Sequence, residues 1–141
     1  MGFEFDRDAE GWLPANAIGP LRVQAGVLIA PVTARDPYLT RANMDVRGEA
    51  DDVVVLRLRL TGATDPLYGQ LYWVTDDSPA YAEDKVARFD ALGDGQWHEY
   101  RVEVGKDGLW AGHHITGVRL DPFQVPAGEA ARAEVDWVRQ E

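Results

Sequence analysis

A two-residue alternation in the last third of the chain limits its fold more than any other feature. In Trp97-His98-Glu99-Tyr100-Arg101-Val102-Glu103-Val104, residues His98, Tyr100, Val102 and Val104 fall on one side. Trp97, Glu99, Arg101 and Glu103 fall on the other. From Ile115 to Pro122, Thr116, Val118 and Leu120 oppose Gly117, Arg119 and Asp121. A period of two sends successive side chains to opposite faces of a sheet. Each segment therefore gives one apolar face to a core and one charged face to something wetter.

The pattern recurs upstream. Phe3 and Phe5 flank Glu4, and Leu21 and Val23 flank Arg22. A Gln24-Ala25-Gly26 turn then leads into Val27 to Ala30, which reads as a hairpin. Further strands are expected at Tyr38-Leu39, Val53 to Leu60, Leu67 to Val74, Lys85 to Phe89 and Ala133 to Arg139. In the last of these, Val135 and Trp137 oppose Glu134, Asp136 and Val138. Gly19-Pro20, Asp65-Pro66, Gly93-Asp94-Gly95, Lys106-Asp107-Gly108 and Pro126-Ala127-Gly128 mark turns. No amphipathic helix of three turns is present, and Asp76 to Asp84 has room for one helical turn at most. Many short strands with such punctuation predict an all-β, two-sheet antiparallel sandwich or small barrel. At 141 residues the expectation is one domain spanning 1–141.

A net charge of −10 and a pI near 4.6 argue against nucleic acid, which requires a basic surface, and against anionic membranes. No stretch approaches the roughly 18 apolar residues of a membrane span. Without cysteine there is neither disulfide nor thiol chemistry. Arginine outnumbers lysine 12 to 2 and Ser78 is the sole serine, a bias that points to a GC-rich bacterial source. The opening residues show no signal-peptide pattern. That fits a cytoplasmic protein, and equally a domain of a larger secreted or surface chain. The second is preferred because pattern begins at Phe3 and runs to Val138.

With Leu56, Leu58, Leu60, Leu71, Trp73, Tyr100, Val102, Val118 and Leu120 inward, the opposite parity gathers a polar set. It comprises Arg57, Arg59, Tyr68, Gln70, Tyr72, Glu99, Arg101, Arg119 and Asp121, expected together on one outer sheet face. Flat aromatics cover the C–H patches of a pyranose, while Arg, Gln and Asp offer paired hydrogen bonds to vicinal hydroxyls. The competing reading is that these charges pair across strands, contributing about 0–1 kcal/mol each. Strand 67–74 leaves its own parity open, since Tyr72 and Trp73 are both credible inward residues.

Trp12, Trp73 and Trp137 sit amid apolar alternation and are assigned to the core. Trp97 and Trp110 lie beside turns, where each either edges a binding cleft or lids the sandwich. Asp6-Arg7-Asp8-Ala9-Glu10-Gly11 opens like a calcium loop, yet Ala17 stands where the bidentate Glu belongs, so no EF-hand forms. Ser78 lacks nucleophile-elbow glycines, and His98, His113 and His114 lack metal spacing. Catalysis is not expected.

In order, Phe3-Glu4-Phe5-Asp6, Glu10-Gly11-Trp12, Gly26-Val27-Leu28, Asp36-Pro37-Tyr38-Leu39, Leu71-Tyr72-Trp73, Gly95 to Tyr100, Ile115 to Pro122 and Val135-Asp136-Trp137-Val138 resemble the galactose-binding-like β-jelly-roll domains of bacterial extracellular proteins. That class includes many carbohydrate-binding modules. The resemblance implies a non-catalytic accessory module that contacts carbohydrate through a sheet face or through loops at one end. It nominates Arg57, Arg59, Tyr68, Gln70, Tyr72, Arg119 and Asp121 for the face, and Trp97 or Trp110 for the edge. It also implies a structural calcium (Ca2+) tying Glu4 or Asp6 to Asp136. The alternative is a structural or protein-interaction sandwich packed on neighbouring domains.

Overall fold

The computed structural model describes residues 1–141 and is built from short antiparallel strands. In chain order they are β1 (Gly2–Phe3), β2 (Trp12–Asn16), β3 (Arg22–Gln24), β4 (Val27–Pro31), β5 (Tyr38–Arg41), β6 (Val46–Arg47) and β7 (Val54–Thr61). There follow β8 (Ala63–Thr64), β9 (Gly69–Thr75), β10 (Val86–Phe89), β11 (Trp97–Val102), β12 (His114–Asp121), β13 (Val125–Pro126) and β14 (Arg132–Gln140). One sheet runs β11-β7-β14-β4-β3, with β1 added beside β14. The other runs β10-β9-β12-β5-β2, with β6 added beside β12, and β8 pairs β13 as a small ribbon. The expected two-sheet antiparallel sandwich is what the chain forms. Asp76 to Asp84 contains no helical turn, and the only helix-like element is a 3-10 turn at Val104–Lys106.

Alternation does the packing. Leu56, Leu58 and Leu60 of β7, Leu71 and Trp73 of β9, Val118 and Leu120 of β12 and Leu28 of β4 are all essentially sealed from solvent. Each large buried side chain contributes roughly 1.5–3 kcal/mol. Trp73 thus faces inward, which settles the parity of β9. The hairpin from β3 to β4 turns at Ala25 and Gly26, both at positive φ, the geometry that matches the twist of two-residue hairpins.

Two bulges redirect side chains. In β14 the register against β7 shifts between Val135 and Trp137, leaving Asp136 as the extra residue. Val135 and Val138 both turn inward as a result, and Trp137, assigned to the core from its parity, sits half-buried on the outer face. In β12 the shift lies between Ile115 and Gly117. Ile115 takes the inward place expected for Thr116.

The end of the sandwich near Gly105 is closed by Trp110. Its ring is fully buried and meets Trp73 edge-on at 5.5 Å, and its Nε1 donates to Asp52 at 2.9 Å. Of its two expected roles, Trp110 fills the lidding one and is unavailable to any ligand. Trp12 is in the core as assigned.

Candidate functional site

The residues nominated as one polar face occupy two. β7 and β11 lie in the first sheet, while β9 and β12 lie in the second. Arg57, Arg59 and Trp97 therefore stand on the opposite side of the sandwich from Gln70, Tyr72, Arg119 and Asp121. Away from the bulges, parity tells which side of a strand faces the core. It carries no information about which sheet a strand joins, and here the chain crosses between sheets after β7, β10, β11 and β12.

On the first sheet the charges are spent on one another. Arg57 Nε donates to Asp136 at 3.0 Å, with Glu99 at 3.8 Å. Arg59 binds Glu134 through two bonds of 3.2 and 2.6 Å, and Arg132 reaches the same carboxylate at 2.8 Å. Burial by itself would raise the Glu134 pKa, but these two guanidiniums outweigh it and hold the group below the ordinary glutamate value. Trp97 lies beside Arg57 and Arg59, with guanidinium carbons 5.3 and 4.8 Å from its ring centre.

Two of the carboxylates expected to share a calcium are paired with arginines here. Glu4 takes two bonds from Arg139, at 2.8 and 2.7 Å, and Asp136 is held by Arg57. Asp6 shares an open acidic hollow with Glu4, Asp8 and Glu10. Nowhere do three acids or histidines come together in a way that could hold a metal ion. Carboxylates already neutralised by arginine offer little to a cation.

The second sheet is different. Arg119 lies between two tyrosines from the neighbouring strands β5 and β9, its guanidinium carbon 3.5 Å from the Tyr38 ring centre and 4.4 Å from that of Tyr72. Its Nε and Nη2 donate to the two carboxylate oxygens of Asp121, each at 2.8 Å. Burial pushes the Asp121 pKa up, with the guanidinium pulling the other way. The Tyr72 hydroxyl donates to Glu83 at 2.9 Å, and burial together with that bond drives its pKa to about 12. Gln70, Tyr72 and Asp121 retain only 6, 5 and 2 % exposure. Nominated as contacts, they lie mostly beneath this face and hold its accessible groups in place. Tyr38, the edge of Arg119 and Tyr68 (capped by Arg88 at 4.7 Å) remain accessible.

Residues 76–85 cross over the sheet and help bury Tyr72. The Tyr81 hydroxyl donates to the Val118 carbonyl at 3.0 Å, and burial raises its pKa to about 12. Beside this crossing runs an open groove of about 430 Å³. Val74 and Gly117 form its floor, Pro79 and Tyr81 one wall, Asn43 and Met44 the other. Gly117 keeps the floor low: a Cβ there would stand 3.0 Å from the Tyr81 hydroxyl and 3.1 Å from Val74. Along β12, Gly117, Arg119 and Asp121 share one face, so the groove floor and the Tyr38–Arg119–Tyr72 stack lie on the same side of the sheet two residues apart. Sequence reading missed Tyr38, Tyr81 and Gly117 as site residues. Tyr38 carried a signal, since it alternates with buried Leu39; Tyr81 sits in a stretch without periodicity and carried none.

No protein-family model matches the chain, and no curated protein matches it in sequence. Solved structures do match. A family 29 carbohydrate-binding module variant complexed with cellulohexaose superposes at a TM-score of 0.60 and 10% identity, covering 99% of this chain and 90% of that one. The fold is that of carbohydrate-binding modules. The xylan-binding module CBM15 gives a TM-score of 0.65 at 11% identity, over 99% and 95% of the two chains. A CBM4 structure gives 0.55 at 15%, over 97% and 98%. A carbohydrate-binding-module fold accounts for nearly the whole chain.

Proposed function

We propose that this chain is a non-catalytic carbohydrate-binding module that holds a polysaccharide or oligosaccharide across the outer face of its second sheet. The reading places it within a larger secreted or surface protein. The observation that carries it is the groove along Tyr81, Gly117 and Val74, on the same sheet face as the tyrosine–arginine stack, on a sandwich of this fold. Tyr81 and Tyr38 offer ring surface to the C–H face of a sugar, and Asn43, Thr116 and the rim of Arg119 offer hydrogen bonds to its hydroxyls. The family 29 structures lend further support. Variants of an arginine and an aspartate two residues apart in that module are described as probing its ligand recognition. Arg119 and Asp121 hold the same spacing on β12.

Calorimetric titration with cello- and xylo-oligosaccharides, comparing the parent chain with Tyr38→Ala and Tyr81→Ala, tests the proposal. Micromolar to millimolar binding weakened at least tenfold by either change is expected. Binding that survives both changes but is lost in Trp97→Ala would move the site to the first sheet. No binding to any glycan would overturn the reading.

A further inference from the structure

His114, the first residue of β12, lies between the two segments that supply the groove walls. Its Nε2 lies 2.5 Å from Asp45 Oδ1, and its Nδ1 lies 3.4 Å from Asp76 Oδ2. Asp45 follows Met44 of one wall. Asp76 opens the 76–85 segment that supplies Pro79 and Tyr81 to the other. A neutral imidazole has one N–H and one lone pair, so it donates to only one of two carboxylates; the imidazolium donates to both.

We propose that His114 is a pH-responsive bridge between the groove walls, drawing them together when its ring is charged and releasing one of them when it is neutral. The proposal rests on the reading of this groove as the glycan site. Backbone bonds from Met44 N to Thr116 O at 2.9 Å and from Asp76 N to His114 O at 3.3 Å keep both walls attached to β12 throughout. The bridge therefore adjusts the groove and leaves the sheet intact.

The charged surroundings agree with this role. Asp45 and Arg47 face the ring from one side, Arg47 being opposite His114 in register but drawn toward Glu49 at 3.7 Å. Asp76 faces it from the other side, while the next residue, Asp77, lies 3.8 Å from His113 instead. The hydrogen bond to Asp45, and then the second acid, hold the His114 pKa above the ordinary histidine value. A folded pKa raised in this way gives a stabilisation fully present below the unfolded value, about 6.5, and lost as pH rises through the folded one.

Two measurements test the bridge. In NMR titrations without sugar, the amides of Asn43 and Tyr81 are expected to shift with the same midpoint as the His114 ring. That midpoint falls in Asp76→Asn, and the amide shifts vanish in His114→Gln. In glycan titrations, affinity is expected to fall about three- to fivefold from pH 6 to pH 8.5, as suits one exposed charged contact, and to become pH-independent in His114→Gln. Amides that ignore the His114 midpoint overturn the bridge, as does an affinity loss that persists in His114→Gln. If no glycan binds, the functional reading falls, and the amide titration still decides the bridge.

Discussion

The Tyr81 hydroxyl donates to the main-chain carbonyl of Val118 at 3.0 Å, pinning the 76–85 segment across β12 and setting an aromatic ring beside the bare backbone of Gly117. Through this one bond a loop becomes the wall of a groove. The same crossing buries Tyr72 and brings Glu83 onto its hydroxyl. The wall and the foundation of the face are thus parts of one arrangement.

Removing that hydroxyl tests the arrangement. Tyr81→Phe keeps the ring and loses the bond, so stability in urea should fall by about 1 kcal/mol. Proteolytic or hydrogen-exchange protection of residues 76–85 should drop with it. An unchanged unfolding midpoint together with unchanged protection would show that the segment is held by something else.

The two guanidinium sites should differ sharply. Arg119→Ala leaves Asp121 buried without its partner and is expected to destabilise by about 3 kcal/mol. Arg57→Ala breaks a pair whose members are 31 and 37 % exposed, and should change stability by about 0–1 kcal/mol. Arg119→Lys should recover only part of the loss, since an ammonium neither stacks flat nor binds both carboxylate oxygens. Equal effects at positions 57 and 119 in chemical denaturation would contradict this account of the second face.

These contrasts also show where sequence reading stops. The inward set from Leu56 to Leu120 was legible because burial imposes a period of two on each strand separately. The grouping of Arg57 with Tyr72 was not, because sheet membership depends on which loops cross the sandwich, and loops have no period. Trp137 was misassigned because a single bulge residue, Asp136, reverses parity without any sequence signal of its own. The arginine pairing of Glu4 and Asp136 was hidden from the sequence for a related reason. Arg57 and Arg139, distant in sequence from their partners, reach those carboxylates first.

Acid sensitivity should trace to the first sheet. Glu134 is nearly buried, and its pKa is held low by Arg59 and Arg132 against the upward push of burial. A folded pKa below the unfolded value gives stability present above the unfolded glutamate value, about 4.3, and lost as pH falls through the folded one. Denaturation curves from pH 6 to pH 2.5 should therefore show a shallower acid decline in Glu134→Gln than in the parent chain. Parallel declines would rule out this carboxylate as a source of acid lability.

Trp110 and Trp97 should separate structure from surface. Trp110→Ala removes a fully buried ring and is expected to cost about 3–5 kcal/mol, while Trp97→Ala, on the rim of an edge strand, should cost much less. Thermal unfolding of the two variants makes the comparison directly. A mild effect at Trp110 would contradict its place as the plug of the sandwich.

The central claim is that sugar lies on the second sheet, along Tyr81, Gly117 and Tyr38. Its most direct test is an NMR titration of the labelled chain with cellohexaose and xylohexaose, mapping which amides move. The account predicts shifts concentrated at Asn43, Val74, Tyr81 and Gly117, with the amides of Arg57, Trp97 and Trp137 still. Shifts clustered on those three instead, or none at any concentration, would contradict it.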